Sequence, residues 1–164
     1  MNRIRSKYRS FRRQSGFTHL LLLPAWCLTG LARLLVLCAP FKFFAPGLGS
    51  HHGVSAFIPV VNAEQQVAAL SIGCAVRIAS GYTPWNANCQ AQAIAARWLL
   101  GLFGVPYAVF YGVVKDPVEH MKAHAWVCSG PVQVTGGYAF DEFTVVAVFS
   151  NVSHPASLPR KGGE

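Results

Sequence analysis

The order of local patterns along the chain predicts an α+β fold. Two segments with helical periodicity occupy the middle of the chain, and four short runs of β-branched and aromatic residues follow them. Glycine and proline separate these runs, as expected for turns between strands. Helices that precede a group of strands are typical of an α+β domain. We therefore expect helices followed by an antiparallel sheet, with an apolar helical extension at the N-terminus.

The composition supports one folded domain with an extension. Of the 164 residues, 52% are hydrophobic and 12% are charged, which excludes a generic disordered chain. We predict a basic, disordered tail at 1–15 and an apolar helical extension with a linker at 16–61. The folded domain then covers 62–149, and a second disordered tail covers 150–164.

Most of the net charge of +8 belongs to the first residues of the chain. The rest of the chain holds eight basic and six acidic residues, and so contributes little net charge. The basic residues of the tail are Arg3, Arg5, Lys7, Arg9, Arg12 and Arg13. A solvated tail is the ordinary interpretation of such a run. No aromatic RNA-binding signature and no zinc-finger spacing accompanies it, so we expect no nucleic-acid partner.

An apolar segment at 17–38 follows the basic tail, as in a signal peptide or a membrane anchor. Pro24 and Gly30 interrupt it, and Arg33 lies inside it. A charge in lipid costs about 2.5–3.5 kcal/mol on insertion scales. Its second half has apolar residues at helical spacing, namely Leu31, Leu34, Leu35 and Cys38. We therefore favour a helix that packs on the body or on a partner, and membrane association is the less favoured alternative.

The first helix of the body is predicted over 62–79. Glu64 lies near its start, where a negative charge suits the helix dipole. An apolar stripe at three- and four-residue intervals predicts its buried face, which consists of Val67, Leu70, Cys74 and Ile78.

The second helix is predicted to begin near Asn88 or Cys89 and to run to about Phe103. Asn86 and Asn88 are both capable N-caps, and Gly104 is a natural stop before a proline. Its predicted buried face consists of Ala93, Ala96, Leu99, Leu100 and Phe103. Cys89 therefore lies in the first turn of the helix.

The four predicted strands cover 108–114, 123–127, 132–135 and 143–149. The second strand carries a histidine, His124, between two alanines.

Five cysteines occur without any CxxC pair: Cys27, Cys38, Cys74, Cys89 and Cys128. The odd number and the apolar neighbours favour reduced thiols in a cytoplasmic protein, with the four cysteines other than Cys89 as small core residues. Because ligand pairs at two-to-four-residue spacing are missing, we predict no metal site. No P-loop occurs, and we predict no cofactor.

Cys89 and His124 form the most informative pair of residues. The unpaired N–H groups and the dipole of a helix start favour a thiolate at Cys89. An imidazole on a neighbouring strand is suited to act as its base, which is the plan of a papain-like or transglutaminase-like nucleophile. The alternative is a structural cysteine and a core histidine without catalytic roles.

The chain resembles the lasso-peptide biosynthesis B proteins, transglutaminase-like cysteine proteases that remove the leader from a lasso precursor. The resemblance covers most of 26–149 and rests on residues 31–35, 40–41, 89–93, 104–106, 111–113 and 124–127. It implies maturation of a ribosomally made antibiotic-type peptide (RiPP) by a Cys-His-Asp protease. Cys89 would be the nucleophile and His124 the base. Candidates for oxyanion or substrate contacts are Gln90, Asn86, Asn88 and Trp126.

The third catalytic group departs from the family pattern. The family acid lies about a dozen residues after the histidine, where this chain has Thr135 and two glycines. Asp141 is the nearest downstream aspartate and is our prediction. The alternatives are the other nearby acids, Asp116, Glu119 and Glu142, or orientation of the imidazole by a backbone carbonyl or by Thr135.

The resemblance also implies partners. Family proteins depend on a small domain that holds the leader, and no compact version of it is evident before residue 62. We therefore expect a separate leader-recognition protein, beside the precursor peptide and the macrolactam-forming cyclase. Two rival functions are a Cys-His acyltransferase of the same fold and a non-catalytic, membrane-associated binding protein.

Overall fold

A computed structural model describes residues 16–55, 57–115, 121–137 and 140–152. The predicted basic tail and all but the first three residues of the predicted C-terminal tail lie outside these ranges. The described elements confirm the α+β prediction. The helices are α1 (Gly16–Cys38), α2 (Phe41–Phe44), α3 (Ala63–Ser80) and α4 (Cys89–Leu102), and a 3₁₀ turn covers Ala45–Leu48. The strands are β1 (Ser50–His51), β2 (Ala108–Val114), β3 (Lys122–Ser129), β4 (Val132–Thr135) and β5 (Thr144–Ser150).

The five strands form one antiparallel sheet in the order β1-β5-β2-β3-β4. The main core lies between this sheet and helices α1, α3 and α4. Successive residues of a strand point to opposite faces of the sheet. Alternate residues of β2 and β3 therefore contribute to a second, smaller apolar cluster. It consists of Ala108, Phe110, Trp126, Cys128, Phe143 and Val148. Four strands match the predicted segments to within two residues, whereas β1 was missed, since two residues carry no periodicity.

Helix α1 runs without a break through Pro24 and Gly30, so the prediction that they interrupt the segment is wrong. Of the predicted apolar set, Leu35 packs against the core, whereas Leu31, Leu34 and Cys38 are exposed. The fully buried residues of α1 are mostly small or polar, and they are Thr18, Leu21, Ala25, Thr29 and Ala32. This face packs on α3 and α4. Tertiary packing of that kind supplies most of a helix's stability in a protein, and it offsets the hydrogen bond lost at Pro24.

Helix α3 begins with a capping box, in which the side chains of Asn62 and Gln65 each accept from the other's backbone N–H. The predicted buried stripe is wrong, because Val67 and Leu70 are 62% and 58% exposed. The buried residues are Ala69, Ser71, Ile72, Gly73, Ala75, Val76 and Ala79. These small side chains allow the helix to approach strand β4 closely, and a Cβ at Gly73 would lie 2.6 Å from the carbonyl oxygen of Val134.

Helix α4 matches its prediction closely. Asn88 is the N-cap, and its side chain accepts from the N–H of Ala91 at 3.0 Å. The predicted alanines and leucines of the buried face are buried, whereas Phe103 is exposed and meets the ring of Phe17 edge-on. Cys89 is the first helical residue, as the sequence predicted.

The cysteines are all free thiols, but not all of them are core residues. Cys27 and Cys38 are exposed on α1, which corrects the prediction that they are buried. Cys128 is buried, and burial raises the pKa of its thiol to about 12.

Candidate active site

Cys89 and His124 line the same cavity, which has a volume of about 660 Å³. The cavity lies beside the first turn of α4, between α3 and the segment that includes β4 and the following glycines. Its other lining residues are Leu70, Arg77, Gln92, Pro131, Val132, Gln133, Val134, Thr135, Gly136 and Gly137. The structure therefore brings together the two residues that the sequence singled out, although 35 residues separate them along the chain.

Cys89 occupies a helix start that local sequence builds. The side chain of Asn88 accepts a hydrogen bond from the N–H of Ala91, and the backbone carbonyl of Asn88 accepts one from the N–H of Gln92 at 3.0 Å. Helix geometry leaves the N–H groups of Cys89 and Gln90 without an intrahelical acceptor. These two donors and the positive end of the dipole favour negative charge at this position.

His124 is held through one ring nitrogen. Its Nε2 lies 2.7 Å from the carbonyl oxygen of Gly136. Because a carbonyl only accepts, Nε2 carries the proton and donates this hydrogen bond. In the neutral ring Nδ1 is then unprotonated and is the nitrogen able to take a proton from a thiol. The ring packs on Trp126 and Phe143, with centroid separations of 5.9 and 5.0 Å.

Gly136 is the residue that this arrangement requires to be glycine. Its φ is +87°, and a Cβ there would lie 2.3 Å from Cβ of Trp126. The backbone therefore lies directly against strand β3, and this places its carbonyl at His124. Gly136 follows His124 by twelve residues, the separation at which the family acid was expected. Of the orienting groups left open by the sequence, a backbone carbonyl is the one with a described hydrogen bond to the imidazole.

Asp141 is exposed in the turn before β5. No described hydrogen bond or ion pair joins its carboxylate to His124, and its assignment as the third catalytic residue stays a prediction. Glu142 is exposed beside it, and Asp116 and Glu119 lie outside the described residues. The hydroxyl of Thr135, which lines the cavity, is buried without a hydrogen-bond partner in the described part of the chain.

The oxyanion and substrate candidates differ in where they lie. Asn88 is occupied as the helix cap, and Asn86 is exposed in the preceding loop. Gln90 is half-buried in the first turn of α4, next to Cys89. Trp126 is fully buried with 0% exposure, so it supports the His124 ring from behind and does not line the cavity.

Gln92 lines the cavity but was missed by the sequence analysis. Its side chain donates to the carbonyl of Ala87 at 2.7 Å, which ties the helix to the loop before it. The signal was available, because residues three apart share a helix face and Gln92 follows Cys89 at that interval.

Tyr111 on β2 was also missed, and it lies near Cys89. Its hydroxyl is buried and makes no hydrogen bond of ordinary geometry within the described ranges. Burial raises the pKa of the phenol well above 10, the side chain of Gln90 lowers it, and the nearby Cys89 raises it further. Gln90 is therefore close enough to interact with the phenol, although a full hydrogen bond is not formed. A neutral phenol in this position is a donor without an acceptor.

No group of three or more potential metal ligands occurs among the residues that the structure describes. The chemistry that the described site supports is nucleophilic, with a thiol, a base whose tautomer is defined, and N–H donors at a helix start.

Comparison with known proteins places the chain at the level of a superfamily. The family model described as "Transglutaminase-like superfamily" matches residues 35–148, which include both Cys89 and His124. A search of curated proteins gave no significant match, and a search of solved structures gave none either. The matched superfamily includes cysteine peptidases and acyltransferases.

Proposed function

The chain belongs to the transglutaminase-like superfamily, and from this premise we propose that it is a cysteine protease that removes the leader from a lasso-peptide precursor. The observation that supports the proposal is the shared cavity of Cys89 and His124, together with the hydrogen bond from Nε2 of His124 to the carbonyl of Gly136, which leaves Nδ1 unprotonated in the neutral ring. The choice of a lasso precursor rests on the sequence resemblance.

The proposed reaction begins with transfer of the Cys89 thiol proton to Nδ1 of His124. The sulfur then bonds to the scissile carbonyl carbon, and the backbone N–H groups at the start of α4 stabilise the oxyanion. The carbon–nitrogen bond breaks, and the leaving amine of the core peptide takes the proton from Nδ1. Water hydrolyses the thioester with the same base, which releases the leader as a carboxylate and restores the thiol.

The carbonyl of Gly136 substitutes for a carboxylate in orienting the ring. It selects the same tautomer, because both groups accept from Nε2–H. It carries no net charge, so it stabilises the imidazolium that forms during the reaction less than an aspartate would. We expect a functional but slower enzyme than one with a complete Cys-His-Asp triad.

The lining of the cavity suits a peptide substrate. Leu70, Val132 and Val134 provide apolar surface, and the side chains of Gln92 and Gln133 provide polar groups. A separate leader-recognition protein would present the precursor, and the cyclase would act on the released core. These partners, like the cytoplasmic location, are part of the proposal.

The test is leader removal from lasso-precursor peptides, followed by mass spectrometry with and without a leader-recognition protein. Cys89→Ala is expected to abolish cleavage. Cys74→Ala is the matched control, since Cys74 is also half-buried on a helix but does not line the cavity. Equal cleavage by Cys89→Ala and the parent protein would overturn the protease proposal.

An acyltransferase is the second candidate, because the same thioester can be taken by an amine. The two functions separate in one assay if a primary amine is added to the cleavage reaction. Exclusive formation of the amide product would favour the transferase, and formation of the leader carboxylate would favour the protease.

A further inference from the structure

We propose that helix α1 binds the protein to an anionic membrane surface, with the helix lying in the headgroup plane rather than crossing the bilayer. The contact surface, which we call the leucine face, is a set of exposed apolar side chains on α1 and on α2 directly after it. It consists of Leu20, Leu23, Leu31, Leu34, Leu37 and Phe43.

The leucine face is continuous along α1. At 100° per residue its five leucines fall within an arc of about 120° on the helix. The exposed residues Pro24, Cys27 and Cys38 lie in or near the same arc, so no charged side chain interrupts it. An apolar face this long on the outside of a folded protein marks a contact site.

The opposite side of α1 is fully occupied by the protein. Ala25 and Ala32 are completely buried, and the Trp26 ring packs on Trp85 with centroids 4.6 Å apart. The indole N–H of Trp26 also donates to the carbonyl of Tyr82 at 3.3 Å. Helix α1 is long and apolar enough to cross a membrane by length and composition. Crossing would remove it from the core, whereas lying on the surface leaves every one of these contacts in place.

The distribution of charge identifies the partner. The first 63 residues hold eight basic and no acidic residues, whereas the remaining residues hold six of each. The whole net charge of +8 therefore belongs to the part of the chain that carries the leucine face and the run before it. Within the described range, Arg33 lies on α1 itself, and Nζ of Lys42 lies 5.2 Å from the centroid of the Phe43 ring, which belongs to this face. Basic residues beside an apolar helix face complement anionic headgroups.

A second copy of the chain fits the same surface less well. Pairing two leucine faces would bring together two segments that carry only positive charge, which repel each other. A membrane that contains anionic lipid buries the leucine face and also attracts the basic residues of the same segment.

The experiment is flotation of the full-length protein with vesicles of phosphatidylcholine alone and with an equimolar mixture of phosphatidylcholine and phosphatidylglycerol. We expect binding to the mixed vesicles to be about tenfold stronger or more, and to weaken at high salt. Leu20→Gln/Leu31→Gln/Leu34→Gln is expected to lose this binding. Val67→Gln/Leu102→Gln/Val146→Gln, which changes apolar residues equally exposed elsewhere, is expected to retain it.

A charge variant keeps the test decisive if the leucine variant does not fold, as judged by circular dichroism. Arg9→Glu/Arg12→Glu/Arg13→Glu leaves every described residue unchanged and is expected to reduce binding to mixed vesicles to the level of the neutral ones. Equal binding to both vesicles, or full binding by either variant, would overturn the proposal. So would binding that resists alkaline extraction, which indicates a spanning helix, or self-association through the leucine face without vesicle binding.

Discussion

The two halves of the candidate active site are built in different ways. Cys89 owes its position to its immediate neighbours, since Asn88 caps the helix and the first turn supplies the N–H donors. His124 depends also on residues outside its own strand, because Gly136 orients its ring and Phe143 packs on it together with Trp126 of the same strand. A local motif is therefore sufficient to position the candidate nucleophile, whereas the position of the candidate base depends on tertiary packing.

The largest effect is expected from removing the base. His124→Gln is expected to lower the rate of precursor cleavage by about 10³- to 10⁴-fold, because His124 is the group that takes the thiol proton in the proposed reaction. The free energy of unfolding, measured in urea, is expected to change by less than about 1 kcal/mol, because the half-buried side chain keeps comparable packing. Cleavage within tenfold of the parent rate would contradict a catalytic role for His124.

The next largest effect is expected from substituting Gly136, compared with the same substitution at Gly137. Gly136→Ala is expected to lower the free energy of unfolding by about 2–4 kcal/mol, because it combines positive φ with a collision against Trp126. It is also expected to reduce cleavage by displacing the carbonyl from His124. Gly137→Ala is the matched control, since Gly137 also has positive φ but nothing within 4 Å of its Cβ position, and about 1 kcal/mol is expected. Equal losses in the two variants, measured by urea unfolding, would contradict the packing argument.

The protein is expected to lose stability at alkaline pH because of Cys128, which belongs to the smaller apolar cluster. Burial raises the pKa of Cys128 from 9.0 to about 12, so between these values the unfolded chain releases a proton that the folded protein keeps. This contribution to stability is complete below pH 9 and is lost as the pH rises towards 12, with a slope of up to about 1.4 kcal/mol per pH unit. The free energy of unfolding, measured from pH 8 to 11, is expected to fall less steeply with pH in Cys128→Ala than in the parent protein. An equally steep fall in the two proteins would contradict this assignment.

A smaller effect is expected on the nucleophile side. Asn88→Ala removes the cap of α4 and is expected to cost about 1 kcal/mol of stability. The loss of order in the first turn is also expected to lower the rate of cleavage and the rate at which iodoacetamide alkylates Cys89. Asn86→Ala in the preceding exposed loop is the control. If Asn86→Ala lowered the free energy of unfolding as much as Asn88→Ala does, loss of the helix cap would not explain the destabilisation.

The smallest effect is expected at Asp141. If Gly136 orients His124 throughout the reaction, Asp141→Asn changes the cleavage rate by less than about twofold, as does Glu142→Gln. A loss above about 100-fold that is specific to Asp141 would instead restore this residue as the third catalytic group, reached by a rearrangement of the turn before β5.

The prediction of helices from local sequence succeeded at the starts of α3 and α4 and on most of the buried face of α4, and it failed on the buried faces of α1 and α3. Asn62 and Asn88 each begin a helix because a side chain and a backbone N–H three residues apart can bond in any context. The buried face depends on what packs against the helix. In α3 the small residues pack on β4, so that Leu70 lies at the cavity instead of in the core. In α1 the same effect turned the leucines outward.

Interactions between near neighbours in the sequence are sufficient to set the order of helices and strands and to place Cys89 at a helix start. Contacts between distant parts of the chain bring Gly136 to His124 and Tyr111 to Cys89. They also leave five leucines of α1 exposed, namely Leu20, Leu23, Leu31, Leu34 and Leu37. These features depend on which surfaces meet when the sheet and helices close around one core. A backbone carbonyl in particular has no sequence signature, because every residue carries one.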